Sequence, residues 1–88
     1  MKAIVTVVGK DKEGIVAGAS GKLAELGINI LDISQTLFDD YFAMMMSVSI
    51  QDSAEFADVK EQLSTFGETI GVKIYIQNAA IFDEMHNL

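Results

Sequence analysis

Two strand-forming runs, INILDISQTLF (28–38) and YFAMMMSVSI (41–50), are separated only by Asp39 and Asp40. A two-residue connection makes the runs antiparallel neighbours in one hairpin, and aspartate tolerates the positive φ that tight turns require. In the second arm Phe42, Met44, Met46, Val48 and Ile50 share one face, while Ala43, Met45, Ser47 and Ser49 share the other. The first of these faces is expected to look into the core.

The flanks of the hairpin complete a pattern. KAIVTVVG, residues 2–9, is apolar on both faces, as a central strand covered on two sides would be. From Asp11 a helical stripe follows, with Ile15, Ala19, Leu23 and Leu26 aligned, Lys22 and Glu25 off it, and Gly27 at its end. Beyond the hairpin, Asp52 or Ser53 is placed to cap a helix whose stripe is Phe56, Val59, Leu63 and Phe66, with Gly67 and Gly71 at its close. VKIYIQ then supplies a fourth strand with Val72, Ile74 and Ile76 aligned.

The order β-α-β-β-α-β predicts an α+β, ferredoxin-like βαββαβ sandwich: a four-stranded antiparallel sheet with two helices on one face. The last residues, NAAIFDEMHNL, place Ile81, Phe82, Met85 and Leu88 at helical spacing. We therefore expect a domain over 1–77, and over 78–88 a short C-terminal helix that extends it. Such a sandwich leaves its second sheet face open, yet the first strand is apolar on that side too. Either the terminal helix or another subunit is expected to cover it.

Composition removes several function classes. Asp and Glu exceed Lys and Arg by seven, and every one of the six cations is a lysine. That surface repels a phosphate backbone, has no basic stripe with interleaved aromatics, and does not suit an anionic membrane. The absence of cysteine excludes disulfides, thiolate nucleophiles and thiolate metal sites. The apolar run near the start is too short for a signal segment and no run approaches membrane-spanning length, so a cytoplasmic location is expected. At 88 residues the chain makes one domain burying about 60–65% of its unfolded surface.

The stretch GKDKEGIVAGASG, residues 9–21, holds four of the seven glycines at a strand-to-helix turn. Gly9 and Gly14 have P-loop spacing, but Ile15 and Val16 stand where the phosphate-binding lysine and the magnesium-binding hydroxyl belong. No dinucleotide fingerprint is present either. Gly18 and Gly21 read as either packing or ligand positions. Gly14 sits where missing side-chain bulk lets a carboxylate approach free helix-end N–H groups, or else it marks a plain turn. Ser20 has no identifiable base, and His86, the only histidine, has no partner suited to catalysis or metal binding. Asp39-Asp40 is better explained as a turn than as a cation site, and Met44-Met45-Met46 as strand packing than as a copper site. Neither a catalytic site nor a cofactor is expected. Without arginine, exposed aromatics in a basic setting or a cysteine pair, the acylphosphatase, RNA-recognition and metal-chaperone uses of this fold are unsupported.

The run Asp11-Lys12-Glu13-Gly14-Ile15-Val16 opening a helix, with Leu26-Gly27-Ile28-Asn29-Ile30-Leu31-Asp32-Ile33 opening the second strand, resembles the ACT domain. The resemblance covers about residues 3–77. The terminal helix resembles that of a short, stand-alone bacterial and archaeal subgroup of ACT proteins related to the glycine-cleavage-system repressor type. The ACT resemblance implies a non-enzymatic regulatory module that binds a small effector, of the amino acid class, at a homodimer interface. Carried over, the effector-binding residues are Asp11, Gly14 and Ile15 of one protomer's loop and Asn29 at the start of the partner's second strand. The family's proline before the glycine is replaced here by Glu13. The helix-end N–H groups around Gly14 suit an α-carboxylate, Asn29 can donate and accept, and Asp11 suits an α-ammonium. The alternative is a structural dimerisation or protein-docking module without a small ligand.

Overall fold

A computed structural model describes residues 1–10 and 14–80. The elements are β1 (Lys2–Gly9), α1 (Ile15–Glu25), β2 (Asn29–Phe38), β3 (Tyr41–Ser49), α2 (Phe56–Ile70) and β4 (Lys73–Asn78). They form the expected sandwich, and all three strand pairings of the order β2-β3-β1-β4 are antiparallel. The hairpin turn is as expected, with Asp39 at a φ of 57°.

The core lies between the helices and one sheet face. Ala3, Val5 and Val7 of β1, Phe42, Met44, Met46 and Val48 of β3, and Ile74 and Ile76 of β4 meet Ile15, Ala19 and Leu23 of α1 and Val59 and Leu63 of α2. No polar or charged side chain is buried among the described residues. Burial of the hydrophobic stripes is therefore what fixes the orientation of each element.

Two readings need correction. Asp52 does not cap α2; its carboxylate accepts from the Met1 ammonium at 3.2 Å, and the helix starts from Glu55, whose side chain makes no capping bond. Gly67 does not end α2 but lies buried within it, because the chain returns from Gly71 so tightly that Val72 and Ile74 press on that turn. The expected cover of the second face of β1, by the terminal segment or another subunit, lies outside the described residues. Ile4, Thr6 and Val8 stay half-buried on the open face, with neighbouring strands as their partners.

The helical glycines differ. A Cβ on Gly18 would reach Ile70 and Phe66 at ordinary contact distance, 3.6 Å, so this position packs α1 on α2. A Cβ on Gly21 would meet nothing within 4 Å beyond its own helix among the described residues. Gly21→Ala is accordingly expected to stabilise the domain by about 0.5–1 kcal/mol, a rise of roughly 2–8 °C in a thermal melt. An unchanged or lower midpoint would show that the turn around Gly21 needs the freedom of glycine.

The expected terminal helix falls largely on residues 81–88, outside the described residues. Ala79 and Ala80, directly after β4, are helical.

Candidate functional site

Gly14 stands at the entrance of α1 with a φ of 79°, a left-handed conformation that disfavours residues with a Cβ. It is exposed, and a Cβ built there would meet nothing within 4 Å among the described residues. The first turn of α1 has neither a side-chain cap nor an acidic residue. Among the described residues no side chain accepts from its leading N–H groups, which lie in the positive field of the helix end.

Ile15 is only 4% exposed and packs into the core. What it can offer a ligand is its backbone N–H. Asp11 lies outside the described residues. Asn29 is exposed at the first position of β2, paired with Ser49 of β3.

Strand register sets the distance between these groups. Gly9, which leads into the Gly14 loop, pairs with Phe42, and Phe42 pairs with Leu37 near the end of β2. Lys2 pairs with Ser49, which pairs with Asn29. From the Phe42 row to the Ser49 row is about 23 Å of strand. Gly14 and Asn29 therefore belong to opposite ends of one protomer's sheet, and one protomer does not bring them together.

β2 is an edge strand with all ten residues but one exposed, Ile30 being half-buried. A bulge between Ile30 and Asp32 disturbs its start, where the Asp32 carboxylate accepts the Ile33 N–H at 3.0 Å. The stretch Ile33–Phe38 carries no charge and no proline, the usual guards of an edge. On the side of the sheet where the helices lie it exposes Ile33 and, at 66%, Leu37; on the other side it exposes Phe38 at 77%. Exposure along β2 was not foreseen from the sequence, whose alternation resembles that of a half-buried strand.

A concavity of about 720 Å³ wraps the other edge, between Lys60 and Ser64 of α2 and Lys73, Tyr75 and Gln77 of β4. It includes none of Gly14, Ile15 and Asn29. No helix among the described residues is long and apolar enough to cross a membrane.

The family model of the ACT domain matches residues 2–77. The chain belongs to the ACT domain family. ACT domains are regulatory modules that commonly bind small-molecule effectors and dimerise. A UPF0237 protein of Streptococcus mutans is 62% identical to this ACT domain over 88 residues, the full length of both chains. A solved ACT domain protein from Streptococcus pneumoniae is 61% identical and superposes with a TM-score of 0.87, covering 93% of each chain. A protein provisionally assigned as a glycine cleavage system transcriptional repressor is 23% identical, with a TM-score of 0.73 over 86% of this chain and 44% of that one. At that identity the likeness is one of fold.

Proposed function

We propose that this ACT domain is a cytoplasmic, non-enzymatic regulatory module that binds a small amino acid between the two protomers of a homodimer. The observation that carries the reading is the separation of Gly14 and Asn29 to opposite ends of the sheet, combined with a β2 edge that has neither charge nor proline from Ile33 to Phe38. Antiparallel pairing of β2 with its copy across a two-fold axis would extend the sheet. It would also bring the partner's Asn29 to the Phe38 end, on the same side as the Gly14 loop. The helix-end N–H groups at Gly14 and Ile15 would then receive the α-carboxylate, Asn29 the polar groups of the effector, and Asp11 the α-ammonium. Effector binding would favour the dimer geometry in proportion to its preference for it.

The test is thermal unfolding against a panel of the twenty amino acids. A ligand at about 100 times its Kd adds about 2.7 kcal/mol, raising the midpoint by roughly 10 °C or more. Gly14→Asn, which tolerates the left-handed backbone but fills the approach, is expected to weaken binding at least tenfold without unfolding the domain. Undiminished binding in that variant would sink the site assignment. A second reading, an assembly module with no small ligand, is favoured by the apolar exposure of Leu37 and Phe38 alone. A dimer that responds to none of the twenty would decide for it.

A further inference from the structure

The edge of the sheet opposite β2 is built differently. β4 pairs with β1 on one side only, so half of its six residues turn their backbone N–H and C=O groups outward. Val72, Ile74 and Ile76 are buried, and Gly67 lets α2 close on the start of the strand: a Cβ there would stand 2.9 Å from the Val72 carbonyl oxygen. α2 thus forms a fixed wall on the helix side of the edge, and Lys60 and Ser64, one turn apart, stand on it. The other wall carries Lys73, Tyr75 and Gln77, alternate residues of β4 on the open face. The concavity of about 720 Å³ lies between these walls, with the strand edge along its floor.

Its charge is opposite to that of the molecule. Lys60 and Lys73 line it, both exposed, and among the described residues no carboxylate does, in a chain of net charge −7. A lysine on an edge strand is a common guard against indiscriminate pairing, and to a second copy Lys73 is such a guard: two β4 edges would bring the lysines of both into one seam. The β2 edge is uncharged from Ile33 to Phe38 and gains no attraction here. A strand with carboxylates on both of its faces is different, because it meets one lysine on each wall. Tyr75, 55% exposed between Lys73 and Gln77, offers an apolar surface to a residue beside those acids.

We propose that the β4 edge docks an acidic, extended segment of a partner protein, which joins the sheet as a fifth strand with its carboxylates on Lys60 and Lys73. Main-chain hydrogen bonds along the edge supply the affinity, and the two lysines select the partner by charge. β1 and β3 separate this edge from β2, and the concavity includes none of Gly14, Ile15 and Asn29. A partner strand here therefore leaves the β2 edge and the effector residues free, and its docking requires neither effector nor dimer.

The test is fluorescence anisotropy of the labelled peptide TEEVTVEETV, which carries glutamates on both faces of a strand, titrated with the full-length chain at low salt. Its counterpart TKKVTVKKTV has lysine at each glutamate position, and a third peptide keeps the glutamates but is N-methylated at four successive central residues, which removes strand donors without changing charge. Saturable binding of the first peptide is expected, at least about tenfold tighter than that of the second, weakened by added salt and lost in the third. A Lys60→Glu/Lys73→Glu variant should weaken it at least about tenfold while keeping the parent's melting midpoint and oligomeric state, since both side chains are exposed. No saturable binding at millimolar peptide, or equal binding of the lysine peptide, would overturn the proposal. Equal binding of the N-methylated peptide would reduce the contact to charge attraction without strand addition and overturn it as well. A double variant that binds undiminished would place the peptide elsewhere, and one that changes oligomeric state would give the edge to a second copy; either result also overturns it. None of these readouts involves an amino acid effector, so failure here is distinct from failure of the proposed site.

Discussion

An Ile33→Glu/Leu37→Glu double variant is expected to run as a monomer in light scattering at concentrations where the parent chain is dimeric. Both side chains are exposed in the single protomer, Ile33 at 39% and Leu37 at 66%, so the fold itself should change by no more than about 0.5 kcal/mol. In a two-fold pairing of β2 edges that brings the partner's Asn29 to the Phe38 end, Ile33 lies beside the axis, so its new carboxylate would stand close to its own copy, where like charges repel, and Leu37→Glu would remove apolar area from the seam. A weakening of at least about 100-fold, some 2.7 kcal/mol, is expected. Any effector response should be lost with the dimer, because the partner's Asn29 would leave with it. Lys60→Glu, exposed on α2, serves as a charge control and should leave the dimer intact. A double variant that remains dimeric would move the interface away from β2.

Gly67→Val should lower stability by about 3 kcal/mol, roughly 12–24 °C in the melting midpoint. A Cβ at Gly67 would stand 2.9 Å from the Val72 carbonyl oxygen and 3.1 Å from the Ile74 Cγ1. Flexible side chains can yield to such a contact, but here one of the two neighbours is backbone. The Val72 N–H donates to the Gly67 carbonyl at 2.9 Å, so the two segments are fastened at the point where they would have to part. Gly67→Ala should fall between valine and the parent, since alanine regains about 1 kcal/mol of helix propensity against the same overlap. A valine variant that melts with the parent would show that β4 can shift away from α2 without cost.

Glycine thus had several meanings that the sequence alone did not separate. Gly71, with a φ of 77°, ends α2 as read, whereas Gly67 is a packing position inside it. The difference arises from the return path of the chain at Val72, a tertiary fact with no local signature. The hairpin at Asp39-Asp40, the order of elements and the core face of β3 were legible because alternation and helical stripes are local and strong. The fate of β2 was not. Its residues alternate much like those of β3, and only the strand order makes one an edge and the other an interior strand. Asp52 illustrates the same limit, since its competing partner, the Met1 ammonium, is distant in sequence. For the candidate site, Gly14 and Asn29 could each be singled out from their motifs. That they stand at opposite ends of one sheet needed the register.

That opposition has a genetic corollary. If every site draws Gly14 from one chain and Asn29 from the other, a chain damaged only at Gly14 and a chain damaged only at Asn29 would each bind nothing alone. Mixed and allowed to exchange, they would form heterodimers in which one site carries both lesions and the other carries neither. Two inactive proteins would then recover binding on mixing, up to a quarter of the parent capacity when equal amounts exchange at random. A site built within a single protomer gives no such rescue.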